Sequence, residues 1–377
     1  MLYLRSILLY LFLLAVLLYI SKKFVNVRKH SSRDVNRALF AICVIFSVFF
    51  GCRWAVGGDY PAYYYEYKSF SSEKWELAFR YLMMFLHQYD LHFSIFFSVV
   101  AFLQIAPVLF RIKQYSYALP YILVAFMLGC YWLQYCNVVR SAIASSIIFW
   151  GIYYLSEKRL LQYCICIIIA CCFHTSAIIA LLFIPIAFTQ EIFKESKYQL
   201  ILYLSCVIIT FTLDPVLLFE TQLENVLPFL RMNESISSSI DYYGNSDLKT
   251  GYAFSIGVGF YINLLMAIFL IKKSKLFKKF YKSPYINKLY DLFFIGICFE
   301  MLAIHSNLIL RLSDMISLWG YVIVGLSLYA FSINDKKYFH VLSFLLVIKF
   351  LCIIYKADEN FAQFYFFWDD FKPKLSY

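Results

Sequence analysis

Apolar residues run along this chain in long blocks separated by short polar breaks. Many blocks approach the roughly 20 residues that a helix needs to cross a bilayer. Read on that basis, the pattern predicts spans near 2–21, 38–56, 91–110, 118–137, 139–157, 158–174, 176–194, 199–214, 252–271, 289–305, 312–331 and 338–355. The expected fold class is all-α: a polytopic helical membrane protein of about twelve transmembrane helices, forming one integral membrane domain over residues 1–377.

One stretch breaks the pattern. Trp75–Asp90 is apolar enough to pass for a span, but Glu76, Arg80 and His87 stand 4 and 7 residues apart. At 100° per residue they share one stripe, so the segment reads as an amphipathic helix lying on the outer surface. The stretch 57–90 is then an outer loop containing that helix, and 214–251 is a second, large outer loop. Leu2–Ile20 resembles a signal peptide, but it has only Arg5 as a basic leader and no A-x-A-like cleavage site, so it is expected to be a span.

Composition agrees. The 377 residues are 62% hydrophobic and 15% charged, against about 45–50% and about 25% in a soluble domain. That leaves no room for a separate soluble domain. A formal charge of +11 would suit nucleic acid, but its distribution points elsewhere. With the surface helix uncrossed, 21 of the 34 Lys and Arg fall in loops on one side, including six in 22–37 and seven lysines in 272–288. The positive-inside rule makes that side cytoplasmic. It puts the N-terminus, the exit after Arg53 and the tail after Lys356 outside, and no nucleic-acid partner is expected.

The two sides differ in kind. The inner loops carry mostly lysine, whereas several outer arginines stand at the ends of spans: Arg53, Arg140 and Arg311. Lysine suffices for topology, and arginine adds a planar fork that grips phosphate with two hydrogen bonds. The eleven cysteines lie almost wholly inside apolar runs and read as small hydrophobes. Cys164, Cys166, Cys171 and Cys172 with nearby His174 make a poor zinc site in a lipid-embedded helix. No metal and no cofactor is expected.

Four outer places gather polar chemistry. The first is Arg53 with Gly57, Gly58 and Asp59, followed by five tyrosines, Tyr60, Tyr63, Tyr64, Tyr65 and Tyr67. The others are the turn Asn137–Arg140, the turn His174-Thr-Ser, and His305 leading to Arg311. The short spans flanking His174 place it low in a polar recess, where an ionisable group is a functional candidate by default. Each has a plainer reading too. Arg53 and Arg311 can snorkel to headgroups, and Asp314 can neutralise Arg311. His174 can cap a helix, Asp59 can serve a turn, and the tyrosines can form an interfacial belt.

The chemistry that fits is sugar transfer from a polyprenyl pyrophosphate. Guanidinium groups stabilise the departing pyrophosphate, a histidine or carboxylate takes the acceptor's proton, and tyrosines pack on sugar faces. Arg53, Arg140 and Arg311 are the pyrophosphate-binding candidates. His174 and Asp59 are alternative bases, Tyr60, Tyr63 and Tyr64 are sugar-binding candidates, and Arg80, Arg231 and His305 are possible additions from the same face.

The ordered motifs Arg53-Trp-Ala-Val-Gly-Gly-Asp-Tyr60, Arg140-Ser-Ala-Ile-Ala144, Ala170-Cys-Cys-Phe-His-Thr-Ser-Ala177 and Leu310-Arg-Leu-Ser-Asp314 resemble the EpsG family of polysaccharide polymerases and, more broadly, Wzy-type O-antigen polymerases. The likeness covers roughly residues 38–330, without 214–250. It implies a GT-C-like polymerase architecture in the bacterial inner membrane, working without metal at the periplasmic face. The implied substrates are undecaprenyl-pyrophosphate-linked oligosaccharides, and a chain-length regulator is an implied partner beside the membrane lipids. Two other readings remain open: a flippase or transporter of the same lipid-linked sugar, and a membrane O-acyltransferase using His174 with Arg140.

Overall fold

The structure is a computed structural model that describes residues 2–24, 31–69, 75–189, 194–213, 257–304, 307–356 and 362–375. The outer loop expected over 214–251, and with it Arg231, lies outside the described residues, as does His305. The chain divides into two compact units, residues 1–188 with 318–377, and residues 189–317.

In the first unit, α1 (Leu2–Phe24) and α2 (Ser32–Gly51) pack together, and α2 lies along α5 (Phe93–Arg111). α2 starts six residues before its expected position. Ser31 caps it, accepting a hydrogen bond from the Asp34 amide at 3.2 Å, and satisfies one of the amides that a helix start leaves open. Close approach to α5 explains Gly51: a Cβ there would stand 1.8 Å from Ser98 Oγ. The chain then leaves the helix earlier than expected. Arg53–Trp54 (β1) pairs antiparallel with Tyr365–Phe366 (β2).

That pairing is part of a clasp made by the C-terminal segment. Tyr10 donates to the Ala362 carbonyl at 2.9 Å, Arg5 pairs with Asp369 at 2.7 Å, and Trp54 donates to the Pro373 carbonyl at 2.8 Å. The tail is therefore folded back onto α1 and the Arg53 exit.

Beyond β1, the tyrosine-rich stretch is a helix, α3 (Tyr60–Ser69), followed by α4 (Leu77–Gln88) where the amphipathic element was expected. α4 turns Phe79, Met83 and Leu86 into a core shared with Tyr60, Tyr63, Tyr67, Phe96 and Phe97. Leu77, Tyr81 and Phe85 stay exposed on its other side, so both flanks of this helix are apolar.

The segment expected as one span over 118–137 is broken. α6 (Leu119–Leu128) and α7 (Tyr131–Asn137) meet at a bend of 62°. Gly129 and a left-handed Cys130 (φ 55°) form the joint. α8 (Val139–Ser156) follows after a second irregular residue, Val138. Non-helical backbone inside a bilayer must find partners within the protein. Here Gln104 of α5, 3% exposed, donates to the carbonyls of Tyr135 and Val139 at 2.9 and 3.1 Å, and its own carbonyl accepts from Ser146. Three helices are thus pinned at the turn that carries Arg140.

α9 (Leu160–Cys171) packs on α8 and leads to Thr175–Phe188, which is wound as a 3₁₀ helix containing Pro185 where an α-helical span was expected. Proline lacks the N–H that an α-helix would need at that position. α15 (Gly320–Asn334) and α16 (Lys336–Lys356), numbered after the second unit's helices, pack together and against α6.

The second unit holds α10 (Ser196–Leu213), α11 (Val258–Lys272), α12 (Ser274–Tyr281), α13 (Pro284–Leu302) and α14 (Asn307–Ser317). The lysine-rich stretch expected as a loop over 272–288 is largely helical, with α12 at its centre and α13 beginning at Pro284. On α13, Asp291 is fully buried and paired with Lys278 at 3.1 Å, and Lys288 donates to the carbonyl of Thr189.

The fold is all-α in its membrane elements, as expected. The count of twelve full spans is not reached by length alone. Five helices are long and apolar enough to cross, six if the bent pair is one span, and four shorter apolar helices accompany them among the described residues.

Candidate active site

Glu76 stands where three elements meet. α4 begins immediately after it, and the Ala78 amide in the first turn of that helix donates to the Cys172 carbonyl at the end of α9, at 2.8 Å. Each helix terminus satisfies an open group of the other. This end-to-end contact brings Glu76 against the turn that follows α9, where His174 and Thr175 sit.

One carboxylate oxygen of Glu76 faces His174 Nδ1 at 3.0 Å and accepts from the Thr175 amide and hydroxyl at 3.3 and 3.4 Å. The other accepts from Arg140 Nη1. Arg140 Nε donates to the Tyr63 hydroxyl at 3.4 Å, and its guanidinium lies 4.2 Å from the centre of the Trp75 ring. Trp75 in turn stacks on Tyr63. The side chains of Arg140, Glu76 and His174 are 17%, 15% and 19% exposed, so the cluster is shielded without being sealed.

Burial opposes ionisation of Glu76, but the hydrogen bond from His174 and the charges of Arg140 and His174 outweigh it. The carboxyl is held down at about 2, from 4.5. A carboxyl lowered by folding adds stability at pH values above its unfolded value, and the gain disappears as pH falls through its folded value. The extra thermal stability of wild type over Glu76→Gln is therefore expected to be full above pH 4.5 and to vanish toward pH 2. Melting both proteins in detergent across that range checks it, and a gap independent of pH contradicts it.

The turn after β1 docks beside this cluster. The Asp59 amide donates to Asn137 Oδ1 at 3.1 Å. Gly57 adopts φ 97°, and a Cβ there would stand 2.7 Å from the Cys136 carbonyl oxygen. Only glycine takes that backbone freely at such close range. The Gly-Gly-Asp motif thus seats itself on the end of α7, three residues before Arg140.

The sequence-derived candidates separate accordingly. Arg140, His174 and Tyr63 come together through Glu76. Asp59 is tied to the neighbouring Asn137 turn, and Tyr64 is half-buried against Trp54 and Phe93. Arg53 is 2% exposed. It donates to the carbonyls of Phe50 and Val56 and faces the Phe97 ring at 4.6 Å, so in this conformation it organises the turn. Tyr60 is fully buried and stacked on Phe97 at 4.7 Å, in the core rather than at a surface. Arg80 lies on α4, half-buried beside Tyr81. Arg311 falls on α14 of the second unit.

Glu76 was not among the candidates. Its mark in the sequence is an acid next to a tryptophan, at the start of a largely apolar helix whose polar stripe it shares with Arg80 and His87. Among the described residues, no group of three or more His, Cys, Asp or Glu is arranged to hold a metal.

Apolar helices long enough to cross a bilayer define a multispanning membrane protein, and its first unit carries a shielded arginine–glutamate–histidine cluster. The chain belongs to the EpsG family, whose model matches residues 36–367. EpsG is a Wzy-like polymerase family. No curated protein and no solved structure matches the chain.

Proposed function

We propose that the chain is a polysaccharide polymerase that moves a growing glycan from undecaprenyl pyrophosphate to the next lipid-linked repeat unit at the periplasmic face of a bacterial inner membrane. The observation that carries this reading is the junction of the charged cluster with an apolar cleft. Glu76 forms the polar end of an open cleft of about 430 Å³, walled by Leu77, Ile167, Ile168, Cys171, Cys172 and Ile178. A lipid-linked sugar has the same division: an isoprenoid chain for the cleft, and a pyrophosphate and sugar for the cluster.

In this reading the acceptor hydroxyl attacks the anomeric carbon and gives its proton to His174. Asp59 is the second candidate base. The anomeric C–O bond breaks, and the electron pair leaves on a pyrophosphate oxygen. Arg140 engages Tyr63 and Glu76 through Nε and Nη1, and its remaining N–H groups meet the developing charge. No metal is required, because the guanidinium supplies the positive charge. Tyr64 at the half-open edge contacts sugar. The concentration of Lys and Arg in the loops on the other side supports the periplasmic orientation.

A transporter reading needs a polar path across the bilayer. Of the two acids on α13 that would serve it, Asp291 is closed in an ion pair with Lys278, and Glu300 lies half-buried near the end of the helix. Complementation of a polymerase-deficient strain carrying the matching sugar cluster tests the proposal. A ladder of long glycan is expected on a gel, and single repeat units alone would contradict it.

A further inference from the structure

The charged cluster and its cleft leave a second apolar hollow of the first unit unused. An open groove of about 550 Å³ runs between α1 and α2. Phe12 and Val16 wall it from α1, and Val44 and Val48 wall it from α2. The stacked rings of Phe366 and Trp368, from the C-terminal tail, stand at the end where β2 pairs with β1. Phe12 and Val48 are exposed, so the groove faces lipid rather than the core.

Arg5 heads this groove. Phe12 and Val16 follow it by 7 and 11 residues, which puts all three on one face of α1. Arg5 lies about 10 Å from Phe12 along the helix axis, toward the tail. Its guanidinium is 6.0 Å from the centre of the Phe366 ring and 4.7 Å from that of Phe371. Nη2 donates to Asp369 at 2.7 Å, whereas Nη1 is buried with no hydrogen-bond partner. A buried N–H without an acceptor is costly, and phosphate oxygens match the guanidinium fork. Lys372, which donates to the Asp369 carbonyl at 3.1 Å, adds a second cation that offsets the Asp369 carboxylate.

We propose that this groove seats the isoprenoid chain of the acceptor, the second lipid-linked unit, with its pyrophosphate at Arg5. Naming the acceptor rests on the polymerase reading, in which two units react and each brings its own carrier. The cleft at Glu76 takes the donor. The donor's pyrophosphate departs, so it belongs beside Arg140, whose remaining N–H groups meet the growing charge. The acceptor's pyrophosphate stays bonded to its sugar and gains no charge. An arginine already paired with Asp369 suits that duty, because it holds a head group and stabilises no leaving group. Both seats open at the same end of the unit. Cys52 on the groove wall precedes Arg53, and the turn beyond packs Gly57 on Cys136, four residues before Arg140. The sugars then cover the distance between the two carriers.

Val48→Trp fills the groove from an exposed position, where a larger side chain leaves the core undisturbed. The assay uses two units that each play one part. The donor glycan is blocked at its terminal hydroxyl, and the acceptor has its anomeric oxygen replaced by a methylene, so its carrier stays attached. KM for the acceptor is expected to rise about tenfold, the worth of roughly two buried methylenes, with kcat and the donor's KM little changed. Val347→Trp, at an exposed position on α16, is expected to change none of the three. An unchanged acceptor KM, or an equal rise in the donor's KM, overturns the assignment.

A second measurement needs no turnover. A lipid-linked repeat unit with a diazirine in its isoprenoid chain is photolysed with wild-type protein in phosphatidylcholine nanodiscs. Label is expected on α1 around Phe12–Val16 and on α2 around Val44–Val48, beside label on α9 at the Glu76 cleft. Unlabelled lipid-linked unit is expected to displace the label on α1 and α2, and equal amounts of phosphatidylglycerol or free polyprenol are expected to leave it in place. Absence of that label overturns the inference, as does equal displacement by phosphatidylglycerol, which would make the groove a seat for ordinary membrane lipid. Equal displacement by free polyprenol overturns the role given to Arg5. If the label falls as stated but the protein never elongates glycan, the polymerase reading falls and the groove stands as a seat for a polyprenyl pyrophosphate.

Discussion

Arg140→Ala abolishes long glycan. The side chain has two duties in the cluster, and alanine removes both. Its free N–H groups no longer meet the pyrophosphate, and losing one preorganised donor to a developing oxyanion typically costs about 10²–10³ in rate. Glu76 also loses the partner of its second oxygen. Removing one member of a buried pair costs about 3–5 kcal/mol, but here His174 and Thr175 still hold the other oxygen, which softens the loss. The ladder is therefore expected to collapse to single repeat units while the protein remains in the membrane at close to its normal level, read by immunoblot of the same cells. Arg140→Lys keeps the charge and loses the planar fork, so shorter chains at reduced rate are expected. Full-length ladders in Arg140→Ala contradict the role given to this residue.

Gly57→Ala is the second large effect, and it acts through the backbone. At φ 97° an L side chain is strained wherever it points, and the added Cβ would stand 2.7 Å from the Cys136 carbonyl oxygen. Strain of this kind costs about 1–3 kcal/mol. The simplest relief moves the turn away from α7, which breaks the bond from the Asp59 amide to Asn137. The melting temperature in detergent is expected to fall by several degrees, and glycan chains to shorten, because the turn no longer braces the approach to Arg140. Gly58→Ala is the control. That glycine has no positive φ, and its Cβ would stand 3.2 Å from Asn137 Oδ1, a contact that a shift of a few tenths of an ångström relieves with the bond from the Asp59 amide kept. Equal damage from the two substitutions would contradict this account of the turn.

The parts of the fold that depend on hydropathy were legible in the sequence. α1, α5 and α16 lie within a few residues of their expected places, because continuous apolar runs leave a helix few alternatives in lipid. The bend at Gly129–Cys130 was not legible, since hydropathy is the same on both sides of it. The joint depends on a left-handed cysteine and on Trp132, whose indole N–H reaches back across it to the Met127 carbonyl at 3.1 Å. The C-terminal clasp escaped for a similar reason. A two-residue strand has no period to read, and its partner Arg53 lies more than 300 positions earlier in the chain.

Within the site, residue type was informative and relation was not. The arginines were equally weighted from sequence, yet Arg53 is occupied by its own turn while Arg140 faces a carboxylate. Glu76 was visible on the polar stripe of its helix, but its meaning lay in partners 64 and 98 residues away. The tyrosines divide for the same reason: helical winding turns Tyr60 into the core and Tyr63 toward Arg140.

The central claim is that the Arg140–Glu76–His174 cluster performs glycosyl transfer. The most direct measurement reconstitutes purified wild-type protein, Arg140→Ala and His174→Ala in liposomes with a defined lipid-linked repeat unit, and follows glycan length and released undecaprenyl pyrophosphate. Elongation by wild type, with one pyrophosphate-bearing carrier released per linkage and neither product in the two variants, is the expected result. Undiminished elongation in both variants, or movement of the lipid-linked unit across the bilayer without elongation by wild type, would contradict the account.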